Sequence, residues 1–244
     1  MDGLIYTIMS GANRTWHTQQ IRANNIANVG TTGFRADIEM ASSHVVPGAG
    51  FDSRSMIVPQ PTAINVREGS LVETGSELDV AIQGEGFFVV ATEQGEAYTR
   101  AGNFIVDTEG SLTVNGYPVM GENGPIVLPA FAKIAIATDG VISLQEKGES
   151  HDGAMHPVDR LKRVKPAPHA LSKEPHGLLV SRLGERFSPD SSVTVLHRHL
   201  ENSNVSAVEE MIGTMTLNRD FEIQMKMFNV ASDMVDAGNR VIRG

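Results

Sequence analysis

Apolar residues recur at three- and four-residue intervals in two stretches at opposite ends of the chain, the pattern of helices that bury one side, while the middle breaks into short runs between turn formers. The last stretch, Leu200 to Gly244, reads as one long helix. Ser203 or Asn204 can cap it by accepting hydrogen bonds from its first free amides, and Glu209 and Glu210 follow where negative charge suits a helix N-terminus. Val205, Val208, Ile212 and Met215 make one apolar row; Phe221, Met225, Phe228, Ala231, Val235 and Ile242 make a second. A strict heptad continued from Met215 would put Arg219 and Glu222 on the seam, so the stripe changes phase near Leu217, which argues against a long two-stranded zipper. About 38 helical residues would extend roughly 55–60 Å, more than a compact domain of this size is wide. Such a helix either protrudes or lies across its own domain, and the other end of the chain favours the first.

Residues 2 to 28 form the second amphipathic helix, with Asp2 as cap and Ile5, Met9, Ala12, Trp16, Gln19, Ala23 and Ile26 on successive a and d positions of a regular heptad. It ends in Asn28-Val29-Gly30-Thr31-Thr32-Gly33, a cluster of turn formers. Two such helices form a terminal pair, and two helices alone leave apolar surface uncovered. Trp16 and the C-terminal methionines are accordingly assigned to packing between subunits. Asn24, Asn25 and Asn28 are unusual inside a helix; they either cap its C-terminus or bond to adjacent subunits.

Between the helices, residues 36–74 carry Pro47, Pro59 and Pro61 with Gly48 and Gly50, and read as an extended connector with short strands at Ser55 to Val58 and Ala63 to Val66. From Leu78 the pattern becomes an antiparallel meander, with strands near Asp79 to Gln83, Gly86 to Ala91, Tyr98 to Arg100, Asn103 to Asp107, Ser111 to Val114, Tyr117 to Met120, Pro125 to Leu128, Lys133 to Ala137 and Val141 to Leu144. Asn115-Gly116 predicts a type I′ hairpin. Residues 145–177 are polar loops around one strand near Val158 to Val164, and Leu178 to Ser181 and Val193 to His199 are the last strands. The expected fold is therefore α+β: long N- and C-terminal helices forming a coiled-coil-like stem, with an inserted, mainly antiparallel β domain. The stem takes residues 1–35 and 200–244, the connector 36–74 and the β domain 75–199.

Composition narrows the function more than the fold. A net charge of −9 disfavours general nucleic-acid binding, and the basic run Arg160 to Lys165 is too short to reverse that. With no cysteine there is neither a disulfide framework nor a thiolate site. No run of 18 apolar residues is present, so no membrane span is expected. Asp2 stands where a signal peptide needs a basic residue, which implies cytosolic residence or exit by a route without a cleaved signal.

Candidate chemistry is sparse. Gly84-Glu85-Gly86 lacks the third glycine of a nucleotide loop and opens into a strand, so a turn or bulge explains it. His197 and His199 would share a strand face but have no evident third ligand for a metal. Asp152 lies beside His151, yet no nucleophile elbow or HExxH helix occurs. No enzyme, metal or cofactor is expected.

Ala23-Asn24-Asn25-Ile26-Ala27-Asn28 followed by Thr31-Thr32-Gly33-Phe34-Arg35 resembles the N-terminal signature of the bacterial flagellar rod and hook proteins. Leu200-Glu201-Asn202-Ser203-Asn204-Val205, then Glu209-Glu210-Met211 and Arg219-Asp220-Phe221-Glu222, resembles that family's C-terminal signature, although Ser206 stands where an aspartate is often found. Leu78 to Phe88, continuing through Tyr98-Thr99-Arg100-Ala101-Gly102-Asn103-Phe104 to Gly116-Tyr117-Pro118-Val119, is similar to the family's core domain. The resemblance implies a structural subunit of the basal-body rod, in its proximal part, that assembles through its terminal helices into a torque-transmitting tube. It also implies export by the flagellar type III apparatus, residence in the rod crossing the periplasm, and contact with other rod and hook subunits and with the outer ring bushing. The interface would use Ile5, Met9, Ala12, Trp16, Ala23, Asn24, Asn25, Ile26 and Asn28 at the first helix, with Val205, Val208, Ile212, Met215, Phe221, Met225, Phe228, Val235 and Ile242 at the last. A distal-rod member of the family, or a soluble β-domain binding module with a dimerising helical stem, is the alternative.

Overall fold

Four consecutive apolar residues, Phe87 to Val90, open the strand Phe87–Thr92, and all are buried because both faces of its sheet are covered. Phe88 and Val90 enter one cluster with Ile82, Leu112, Ile142 and Leu161; Phe87 and Val89 point the other way, into Tyr98, Val164, Leu171 and Leu179. The sheet has five antiparallel strands in the order Arg163–Val164, Phe87–Thr92, Gly95–Thr99, Leu179–Ser181, Leu171–Lys173. This is a computed structural model that describes residues 2–46, 55–147 and 154–243. The chain divides into two units: Asn28–Ala36 with Ile64–Val205, which holds this sheet, and Met1–Ala27 with Asp37–Ala63 and Ser206–Gly244.

Within the β unit, Asn115 and Gly116 have φ of 51° and 83°, the left-handed conformations a type I′ turn needs, and they join Leu112–Val114 to Tyr117–Pro118. Elsewhere the pairing departs from a meander. Val80–Gln83 pairs with Thr194–His197, and Leu71–Glu73 pairs with His199–Glu201, so the unit's last strands return to its first. Pro125 to Leu128, expected as a strand, makes only isolated bridges, Ser111 with Val127 and Met120 with Pro125.

The other unit contains two helices, α1 (Asp2–Ala27) and α2 (Ala207–Arg243), and a two-stranded sheet of Asp37–Val45 and Ser55–Ile64. Residues 36–74, read as a connector, thus carry strands. Pro59 and Pro61 are tolerated in the second because a strand with one neighbour keeps an open edge. Pro47, Gly48, Gly50, His151 and Asp152 lie outside the described residues. Helix α2 starts later than expected because Leu200 and Glu201 are held in a strand against Val72 and Leu71. Its cap is Ser206, whose hydroxyl accepts the Glu209 amide at 3.4 Å, and not Ser203 or Asn204.

The coiled-coil-like stem is not formed. The two α-helices among the described residues run antiparallel, and the row of α1 that is covered consists of Ile8, Thr15, Thr18, Ile21 and Asn25, with Gly11 and Arg22 between them. That row lies one position away from the apolar heptad, a turn of about 100° around the helix. Met9 and Trp16 of the heptad are 54% and 59% exposed. The physical reason is largely polar: hydrogen bonds and an ion pair join the helices, with Ile8, Ile21 and Ala231 buried beside them.

Candidate subunit interface

The polar row explains how α1 and α2 hold together. Arg22 Nη1 is 2.8 Å from Glu210 Oε2, and Asn25 Nδ2 donates to Glu210 Oε1 at 3.1 Å. Gln19 donates to Asn218 at 3.2 Å, and Gln224 donates to the Thr15 hydroxyl at 3.3 Å. Asn25 also makes a reciprocal pair with the backbone of Asp37, donating to its carbonyl at 3.0 Å and accepting its amide at 2.9 Å. Arg14 Nε stands 2.6 Å from Glu39 Oε1, tying α1 to the strand Asp37–Val45. The hydrogen bond from Arg14 holds the Glu39 carboxyl below its usual range, and the same bond raises Arg14.

With the inner row polar, the apolar residues face outward. Of the expected interface residues, Met9, Trp16, Val208, Ile212, Met215, Phe221 and Met225 are exposed; Ile5, Ala12, Ile26, Val205, Phe228 and Val235 are half-buried. Ala23 and Asn24 are exposed, and Asn24 makes a contact of its own. Asn25 is 1% exposed and bonded inside the unit, while the Asn28 side chain accepts the Thr31 hydroxyl at 3.1 Å. Ile242 lies on α2, but its side chain is outside the described residues. Sequence reasoning missed Ile223, Val230 and Val241, which are exposed on α2 together with Met227 and Met234 of the C-terminal methionines assigned to subunit packing. It also missed Met56 and Ile57, which with Tyr6, Met9, Phe221 and Phe228 line an apolar cavity of about 680 Å³.

The β unit has its own concentration of charge. Glu201, 1% exposed, is within 3.0 Å of Arg35 Nη2 and 3.2 Å of Arg100 Nη1, and both arginines are buried with it. Glu201 Oε1 also accepts the Gly69 amide at 2.9 Å. Arg100 donates to the carbonyls of Ile82 and Gly84, and Arg35 to that of Arg67. Burial pushes the Arg100 guanidinium down to about 10, against the opposing pull of Glu201, and lowers Arg35 for the same reason. Both remain protonated at neutral pH. Lys173 Nζ sits 3.6 Å above the Phe34 ring and donates to the Arg35 carbonyl at 2.7 Å. Phe34-Arg35, Thr99-Arg100-Ala101 and Leu200-Glu201 come from the first, middle and last of the three stretches singled out in the sequence, and they meet here.

The two guanidiniums and the shared carboxylate tie these three stretches together, with Arg35 Nε, Arg100 Nε and Glu201 Oε2 left without hydrogen-bond partners among the described residues. Arg198, with φ of 59°, breaks the strand between His197 and His199, so the two imidazoles do not share a strand face. Among the described residues no group of three or more His, Asp or Glu is placed to hold a metal ion, and no helix is long and apolar enough to cross a membrane.

Three family models match in the same order along the chain: "Flagella basal body rod protein" over residues 5–35, "Flagellar hook protein FlgE/F/G D1 domain" over 81–144, and "Flagellar basal body rod FlgEFG protein C-terminal" over 197–241. The chain belongs to the flagellar basal-body rod protein family and is a structural subunit of that class. Among named members, it is similar to the flagellar basal-body rod protein FlgF of Salmonella typhimurium and that of Escherichia coli, each 35% identical with 99% of both chains covered. It is also similar, at 28% identity over 87% of this chain and 89% of the relative, to the rod protein FlgG of Buchnera aphidicola subsp. Schizaphis graminum.

Proposed function

We propose that the chain is a proximal-rod subunit that assembles side by side with other rod and hook subunits, burying the outward apolar faces of α1 and α2 and transmitting torque along the resulting tube. The observation that carries this reading is the exposure of Met9, Trp16, Val208, Ile212 and Met215 on helices joined largely by polar contacts. A row of large apolar side chains left in water by the chain's own fold is the mark of a surface that is covered on association. The greater likeness to FlgF than to FlgG favours the proximal over the distal rod. The subunit acts mechanically and not as a catalyst, leaves the cytoplasm through the flagellar type III apparatus, and lies in the periplasmic rod inside the ring bushing.

The absence of native cysteine makes the test direct. A single thiol introduced as Met215→Cys is expected to react with a maleimide in the dilute chain and to be protected in purified basal bodies. Equal reactivity in both, or absence of the chain from basal bodies, overturns the reading.

A further inference from the structure

The chain crosses between its two units four times, at residues 27/28, 36/37, 63/64 and 205/206. Three of those crossings adjoin atoms bonded to one side chain. Asn204 Oδ1 accepts the Ala36 amide at 2.8 Å, and Asn204 Nδ2 donates to the carbonyls of Asn65 at 3.0 Å and Arg67 at 2.8 Å. The Asn204 amide donates to the Phe34 carbonyl at 3.2 Å, and the Asn65 amide to that of Ala36 at 2.8 Å. Asn204 itself lies two residues before the last crossing. The segment that follows the fourth crossing, 27/28, is bonded separately, with the Gly33 amide on the Glu201 carbonyl at 2.7 Å.

We infer that Asn204 is a clasp that fixes the three chain exits of the β unit to one another. Its chemistry suits that role, because a carboxamide offers one acceptor oxygen and two donor hydrogens on a short stem, and all three are engaged. Aspartate keeps the acceptor but turns the donor end into a second acceptor oxygen, part of an anionic carboxylate, facing two carbonyls. Serine and threonine have one donor, and alanine has nothing. If the chain is a rod subunit, as proposed above, force on the helices enters the β unit through these exits, and the clasp makes three of them move as one.

The test uses the full chain with Asn204→Ala and Asn204→Asp. In N204A, exchange of the Ala36 amide is expected to accelerate tenfold or more, and trypsin cleavage after Arg67 several-fold, while the Val89 and Val90 amides keep their rates. In N204D the Ala36 amide stays protected but cleavage after Arg67 still rises, a split that general loss of stability would not produce. Unchanged Ala36 exchange and Arg67 cleavage in both variants overturns the clasp. Loss of protection that spreads to Val89 and Val90 does so too, since it makes Asn204 a general support of the core. If Ala36 and Arg67 respond as expected but cells carrying N204A swim normally in viscous medium, the clasp stands and its mechanical consequence falls.

Discussion

Arg35 Nη2 and Glu201 Oε1 stand 3.0 Å apart with both side chains buried, a contact between the segment that follows the first helix and the strand that precedes the last. Arg100 approaches the same carboxylate from the middle of the chain. Two guanidiniums and one carboxylate carry a net positive charge into a site with almost no water. Isolated burial of such charges is costly, and what makes it tolerable is that backbone carbonyls of Ile82, Gly84 and Arg67 accept from the arginines.

Removing the shared anion should therefore be severe. Glu201→Ala leaves two buried cations without a counterion and is expected to destabilise the chain by about 3–5 kcal/mol. That corresponds to a fall in Tm on the order of 10 °C, measurable by circular dichroism. Glu201→Gln, which keeps an oxygen for the Gly69 amide, should fall between the two. A loss under about 1 kcal/mol in the alanine variant would mean that the arginines find water.

These three residues were the least legible feature of the chain. Singly, an arginine or a glutamate reads as a solvated surface group, and nothing in a local pattern tells that Arg35, Arg100 and Glu201 converge; the one signal was their position inside apolar or turn-forming motifs. Local chemistry was legible where it decides structure alone, as at Asn115-Gly116, and so were the span of α1 and the body of α2, though not where α2 starts. Which side of α1 meets α2 was not legible, because periodicity ranks rows by hydrophobicity. The row that packs within the chain mixes Ile8 and Ile21 with Thr15, Thr18 and Asn25, and polar residues leave no apolar trace. Crossovers such as Val80–Gln83 with Thr194–His197 were likewise invisible, since pairing over that separation is set by the closed unit and not by a turn.

The outward faces make a prediction that separates folding from assembly. Met215, 64% exposed, contributes little to the isolated chain, so Met215→Asp should change its unfolding free energy by no more than about 0.5 kcal/mol. The same change should abolish incorporation into basal bodies, scored by immunoblot of purified particles and by swimming.

Acid should loosen the helical unit through Glu39. Its carboxyl titrates below the ordinary 4.5 when folded because Arg14 donates to it, so the folded chain binds this proton more weakly than the unfolded one. The stabilisation is complete above about pH 4.5 and is lost as pH falls through the depressed value. Arg14 is almost half exposed, so the contribution is on the order of 0.5 kcal/mol. Glu39→Gln should lie below wild type by that margin at pH 6, with the gap closing toward pH 3. A gap independent of pH would assign the loss to packing and not to charge.

Two nearby glycines should respond in opposite ways to the same substitution. Gly33 has φ of 67°, and a Cβ there would come within 2.3 Å of the Arg100 carbonyl carbon and the Ala101 nitrogen, backbone atoms that cannot swing aside. Gly33→Ala must either strain the left-handed conformation, at about 1–2 kcal/mol, or push the segment 28–36 away from Arg100 and Ala101, which would also draw Arg35 from Glu201. Loss of at least ~2 kcal/mol is expected. Gly30 has open space around the same position, so Gly30→Ala should be neutral or stabilise by up to about 1 kcal/mol through a less free unfolded chain. Chemical denaturation of both variants beside wild type decides it: equal effects would show that close approach at Gly33 does not hold the N-terminal segment in place.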